Sequence, residues 1–365
     1  MILLDPAVAV KWRDYGILIP FPPDRPRNIV GFLKKSADPC PMPIVSIKEA
    51  LEFLGKKTEF EISEEALERV HKKEYIDIFF QESKEKRDLE TTRAILDIYE
   101  LVDEKGNYHR YNKELAKKTM RDLFETSIMG SLKGSYLAAR LALENESGFC
   151  FYLSGGNHHA RYDWGAGFCV LNDVIFTARA MQNEGRAKII WIIDVDAHKG
   201  CGSAEIVDFI RRGINPHHFE EDCTIVTLSI HMARGWPLDR ESMEKSKPDR
   251  APNIKSDIEI PVEKGEESLY TKKLEAGLMQ FAALSGGKNA DLAIVVDGDD
   301  PYEYDEIESS SLLKLTLTQM LERDTLIYDF LVSRGIKSAW LLAGGYGERA
   351  WEPAANFLKS LTFRK

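Results

Sequence analysis

The 365 residues, 44% hydrophobic and 30% charged, are enough to bury a large core without staples, which excludes the small disulfide-held or metal-held scaffolds. A formal charge of −10 argues against direct nucleic-acid binding, and no apolar run is long enough to cross a membrane. Cys40, Cys150, Cys169, Cys201 and Cys223 lack CxxC spacing, and the amino terminus is unlike a signal peptide, so reduced thiols in a cytoplasmic protein are expected.

In chain order, ILIPFPPDRPR (17–27) reads as a short strand running into a proline-rich turn, with no central helix there. SIKEALEFLG (46–55) and SEEALERVHKKEYIDIFF (63–80) read as helices, the second capped by Ser63. Charges crowd between Glu82 and Lys113, which predicts an irregular surface excursion placed to overhang an active site. Residues 112–146 are periodic enough for one helix, with Leu115, Met120, Leu123, Phe124, Ile128 and Leu132 on its apolar face. Beyond it short apolar runs alternate regularly with helices. FCFYLS, KIIWIID, TIVTLSI, DIEIPV, LAIVVD and SAWLLAGG are the strands; 173–183, 203–211, 268–283, 310–333 and 350–361 are the helices. Such alternation predicts an α/β fold: a single domain over residues 1–365, with a mainly parallel central sheet and helices on both faces.

In open parallel sheets ligands bind where strands end, and four strand ends here carry unusual residues. DVDAHKG sets Asp196 and His198 two apart, on one side of an extended segment, where both can grip one ion. LSGGNHHARYDWGAGFC places His158 and His159 in a glycine-rich loop. VVDGDDPYEYD crowds Asp297, Asp299 and Asp300, a cluster that needs a cation, protons or solvent. LLAGGYGERAWEP presents Tyr346 after a glycine pair, a candidate donor to a developing oxyanion.

GGNHHA, GFCVLND, DVDAHKGCG, the aspartate turn and GGY, in that order over about Gly155 to Tyr346, resemble the zinc-dependent histone deacetylase and acetylpolyamine amidohydrolase family of the arginase-deacetylase fold. VHKKEY near His71 and FPPDRPR near Arg25 are weaker echoes. The resemblance implies a Zn²⁺ hydrolase of acetyl-lysine side chains, acetylpolyamines or other small acyl amides. It makes Asp196, His198 and Asp300 the metal ligands, Asp300 being chosen because Asp305 then follows at the family's spacing, with Asp299 the competitor. His159 becomes general base and acid, His158 an electrostatic partner oriented by Asp194, and Tyr346 the oxyanion donor. Gly167, Phe168 and Trp236 line a tunnel, and a structural K⁺ uses Asp194, Asp196, His198, Ser229 and Ile230.

Two departures stand out. Lys199 and Cys201 replace the family's second His and its Asp or Asn, which would orient His159. Pro22-Pro23-Asp24 replaces a His-Pro-Glu turn, with Arg27 offered as an acetate-channel residue. An arginase-type binuclear Mn²⁺ ureohydrolase is disfavoured by Gly200 where that branch needs a carboxylate; a catalytically weak acyl-binding metal module is the other alternative.

Overall fold

A computed structural model of the chain describes residues 1–5, 10–35, 42–55, 62–103, 105–219, 222–239 and 254–361; Cys40 and Glu104 lie outside the described residues. Eight parallel strands form one sheet: β1 (Ile2–Leu4), β2 (Ile44–Ser46), β3 (Phe149–Tyr152), β4 (Ile189–Asp194), β5 (Thr224–Met232), β6 (Ile258–Val262), β7 (Leu292–Asp297) and β8 (Lys337–Leu342). Their order is β2-β1-β3-β8-β7-β4-β5-β6. From β4 the chain moves outward to β5, and from β7 it moves the opposite way to β8. The gap beyond the carboxyl ends of β4 and β7 is therefore a topological switch point, where a crevice opens.

Strand residues alternate between two cores, as the two-residue period of a strand buried on both faces requires. Ile190, Ile192, Leu292, Ile294 and Val296 pack under the helices Met129–Glu144, Asp173–Asn183 and Cys201–Arg211. Trp191, Ile193, Ala293, Val295 and Trp340 face the helices Arg25–Lys35, Tyr270–Leu278, Leu317–Val332 and Glu352–Ser360.

The six expected strands form, as do the helices expected over 173–183, 203–211 and 350–361, whereas 268–283 divides into Tyr270–Leu278 and Phe281–Leu284 and the 310–333 helix begins only at Leu317. The differences lie where local signals compete. Arg25–Lys35 is a helix despite the prolines, because Pro26 sits in its first turn, where an N–H has no intrahelical partner to lose. The expected irregular excursion contains the helix Lys84–Ile98, capped by Ser83; its charges hide a narrow stripe of Thr91, Ile95 and Ile98. Only its return, through Glu100 and Arg110, reaches the tunnel mouth described below. The single helix over 112–146 is broken: Lys117 and Lys118 donate their backbone N–H groups to Asp14 O, a new cap forms at Thr119, and Leu115 is 41% exposed. The 63–80 helix is likewise two short turns, Glu64–Glu68 and Lys73–Ile76. β1 and β2, each three residues, gave no periodic signal. No described helix is long and apolar enough to cross a membrane.

Candidate active site and metal centre

β4 ends at Asp194, and the chain beyond it turns Asp196 and His198 into the crevice, while the turn after β7 delivers Asp300. Ligand-type atoms of Asp196, His198 and Asp300 lie within 4.8 Å of one another, all three buried. His198 Nδ1 is 2.8 Å from Asp300 Oδ2 and 3.2 Å from Asp196 Oδ1. Backbone N–H groups fix the carboxylates: Ala197 donates to Asp300 Oδ1 at 2.8 Å and Gly344 to Asp196 Oδ2 at 3.1 Å. A Cβ at Gly344 would stand 2.4 Å from Asp196 Oδ2, so glycine is required for this approach.

Among the described residues no Lys or Arg pairs with Asp196 or Asp300. Burial disfavours a charged imidazole, yet the two carboxylates hold His198 as a cation, its pKa raised to about 10. A proton thus occupies a donor set of two carboxylates and one imidazole, which suits a divalent ion and leaves further positions open. Asp299 is not part of it. Its Oδ2 accepts from buried Arg25 Nη2 at 2.8 Å.

The tandem histidines sit beside this cluster. His158 Nδ1 donates to Asp194 Oδ2 at 2.6 Å, and its Nε2 lies 3.0 Å from His159 Nε2. Against the cost of burial, Asp194 and Asp196 raise His158 to about 9. Burial, followed by the charges of His158 and His198, pushes His159 well below its ordinary value. With His158 donating through both nitrogens, His159 Nε2 is an acceptor and its proton sits on Nδ1, 3.5 Å from Cys201 Sγ. His158, His159 and Asp196 also cluster within 4.8 Å, with His158 Nδ1 tied to Asp194 at 2.6 Å.

A Cβ at Gly200 would fall 2.1 Å from Asp194 Oδ2, so a carboxylate-bearing residue does not fit there without moving the His158 partner. Ser229 lies opposite Asp194 in the sheet register, and its Oγ accepts from Gly200 N at 3.3 Å; Ile230 follows it, fully buried. Lys199 turns away from the centre and pairs with Glu259 at 2.6 Å.

Tyr346 is anchored through its backbone N–H, which donates to Asp305 Oδ2 at 2.7 Å. Burial, with Asp300 and Asp196, raises its phenol well above the ordinary value, so it remains a donor. Its ring packs on Phe168 and Phe21, with centroids 6.2 and 5.5 Å apart. Trp236 stands edge-on to His159 at 4.5 Å. Gly167, Phe168, Trp236, Tyr346, His159 and His198 line a cavity of about 310 Å³ whose exposed end carries Glu100, Arg110 and Glu308. A second cavity of about 200 Å³ continues inward past Gly155, His158 and Arg25.

Arg25, not Arg27, faces that inner cavity. Arg27 is exposed and pairs with Asp24, whereas Arg25 also donates to the carbonyls of Ala343, Gly344 and Ala350. Helical spacing from Asp24 would have separated the two arginines, but the prolines concealed the helix. Asp173, in the GFCVLND stretch but marked by no local signal of its own, accepts from Gly156 and Asn157 N–H and from Ser135, and so holds the tandem-histidine loop.

His71 braces the same loop from outside. Its Nδ1–H donates to Arg161 O at 2.8 Å, and its Nε2 accepts from Asn172 N at 3.0 Å, an arrangement only the neutral ring can make. Burial lowers its pKa from 6.5 to about 4. Between these values the unfolded chain binds a proton that the folded chain does not, so stability present above pH 6.5 is lost as pH falls towards 4. Urea unfolding of wild type and His71→Gln across that range should differ by an amount that changes by about 3 kcal/mol; a flat difference would contradict the neutral assignment.

Fold and centre together define a parallel α/β protein with a buried carboxylate–imidazole metal-type site. Residues 20–360 match the histone deacetylase domain, and the chain belongs to the histone deacetylase family. An uncharacterized protein of Picosynechococcus sp. is 28% identical over 220 residues, 59% of this chain and 61% of that protein. Histone deacetylase 2 of Arabidopsis thaliana is 24% identical over 230 residues, 63% of this chain and 52% of that protein. The chain thus matches somewhat over half the length of these relatives. Acetoin utilization protein AcuC of Staphylococcus aureus is 42% identical over 80 residues, 22% of this chain and 17% of that protein. The crystal structure of the HDA15 HD domain shares the fold with a TM-score of 0.59 at 18% identity, covering 100% of this chain and 91% of that one.

Proposed function

We propose that the chain is a zinc-dependent amidohydrolase that removes the acyl group from an acetyl-lysine-like amide. The observation that carries this is the convergence of Asp196, His198 and Asp300 beside a neutral imidazole, His159, at the end of a narrow aromatic-lined cavity. A Zn²⁺ held by the three ligands would supply Lewis acidity to the amide carbonyl and lower the pKa of a water. A water entering between the two imidazoles would replace the His158–His159 contact, and His159 Nε2 would then take its proton and later return it to the departing amine. Cationic His158, held by Asp194, opposes the negative charge that builds up beside it. Tyr346 donates its hydroxyl to the carbonyl oxygen as it becomes an oxyanion. Phe168 and Trp236 exclude water along an aliphatic chain. Asp194 and Ser229, adjacent in the register, with the backbones of Asp196, His198 and Ile230, would hold a structural K⁺. Buried free thiols at Cys150, Cys169 and Cys201 accord with a reducing compartment, and we assign the chain to the cytoplasm.

The test is turnover of an acetyl-lysine peptide by the Zn²⁺-loaded protein. Tyr346→Phe should lower kcat by about 10² or more with an unchanged melting temperature. Equal background rates in wild type, Tyr346→Phe and His159→Ala would favour a binding module that does not turn its ligand over. Two equivalents of Mn²⁺ with urea release would favour the ureohydrolase reading, which Gly200 packed against Asp194 opposes.

A further inference from the structure

The outer end of the tunnel carries charges that the reaction does not use. Glu100, Arg110 and Glu308 are exposed residues lining the same cavity whose inner end is formed by buried His159 and His198. None of the three makes a side-chain hydrogen bond or ion pair among the described residues. Burial raises the Glu100 carboxyl above its ordinary value while Arg110 pulls the other way, and the two stay beyond ion-pair contact. Their backbones are also unusual. Glu100 (φ 54°), Arg110 (φ 51°) and Phe168 (φ 67°) are three of the four described non-glycine residues in the left-handed region, and all three line this cavity. Left-handed backbone at residues with side chains persists where surrounding structure imposes it, and such positions cluster at ligand sites.

Resting on the deacylase reading, we propose that this mouth receives the zwitterionic end of a free acylated amino acid, Glu100 taking the ammonium and Arg110 the carboxylate. In an α-amino acid the two charged groups share one carbon, so the head fits between opposite charges held apart. In a polypeptide both groups are neutral amides, and the rim charges gain nothing. The preferred substrate class is therefore Nε-acyl-lysine itself or a close homologue, its side chain lying past Phe168 and Trp236. Glu308 leaves the rim one negative charge in excess, which makes the ammonium the more firmly held group.

Four acetamides of matched length test this with the Zn²⁺-loaded full chain: Nε-acetyl-lysine, N-acetylcadaverine (ammonium only), 6-acetamidohexanoate (carboxylate only) and N-pentylacetamide (neither). Nε-acetyl-lysine should have the highest kcat/KM, by about tenfold over N-acetylcadaverine and by more over 6-acetamidohexanoate, which lacks the ammonium. Glu100→Gln should lower the ratio of acetyl-lysine to 6-acetamidohexanoate about tenfold, and Arg110→Gln the ratio of acetyl-lysine to acetylcadaverine by a similar factor. Both residues are exposed loop positions, and matched melting temperatures confirm that the variants fold. Acetylcadaverine equal to or better than acetyl-lysine would assign the mouth to a diamine and overturn the proposal. So would an acetyl-lysine peptide turned over as well as the free amino acid, or substrate ratios unmoved in both variants; each leaves the deacylase reading standing. No turnover of any acetamide or of the peptide would overturn both.

Discussion

Asp300→Asn should remove metal binding and amide turnover together, with a loss in kcat/KM of about 10³ or more, because one of the three proposed protein ligands loses its charge. Asp299→Asn should behave differently. Its carboxylate holds the buried guanidinium of Arg25 at 2.8 Å and lies near that of Arg323, at 3.9 Å. Neutralising it leaves buried positive charge uncompensated, and breaking such a pair costs about 3–5 kcal/mol. The readouts therefore separate: metal content by emission spectroscopy and turnover for Asp300, thermal melting for Asp299. Metal lost from Asp299→Asn and retained by Asp300→Asn would reverse the assignment.

Adjacent aspartates with opposite duties show what a one-dimensional reading can and cannot resolve. The carboxylates at the end of β7 were visible as an unpaired acidic cluster, but which one turns inwards depends on Arg25, 274 residues away in sequence. That helix was hidden because prolines signal a break, and only context shows Pro26 to be in a first turn. The parallel sheet was legible because each buried strand is a continuous run of β-branched and aromatic residues, and the switch point followed from strand order, which no local pattern encodes. His158, His159, Asp196 and His198 stood out because such residues are out of place at strand ends unless they bind something. Glu100 and Arg110 did not, since in a charged segment nothing marks the two that face a cavity. Their placement depends on the turn after Lys84–Ile98 and its return alongside Ile17, which bridges Tyr111.

His159→Ala should lower kcat by about 10²–10⁴ while metal content stays near wild type, since in the proposed mechanism the imidazole transfers protons and is not a ligand of the three-residue centre. The more informative variant is Cys201→Asp. A thiol 3.5 Å from Nδ1 is a weak acceptor, so in the wild type little supports positive charge on His159, and burial beside His158 holds its pKa well below the ordinary histidine value. Activity that needs the neutral ring should therefore persist well below pH 6.5, the ordinary histidine value. A carboxylate at 201 would accept the Nδ1 proton and stabilise the imidazolium, which raises the pKa and moves the acidic limb of the kcat/KM profile to higher pH. Arg161 also interacts with Cys201 and would share the new carboxylate, which limits the shift without changing its sign. Profiles between pH 4.5 and 8 for the two proteins decide the matter. A limb that moves to lower pH in Cys201→Asp, or fails to move while the carboxylate is seen against His159, would show that another group supplies the base.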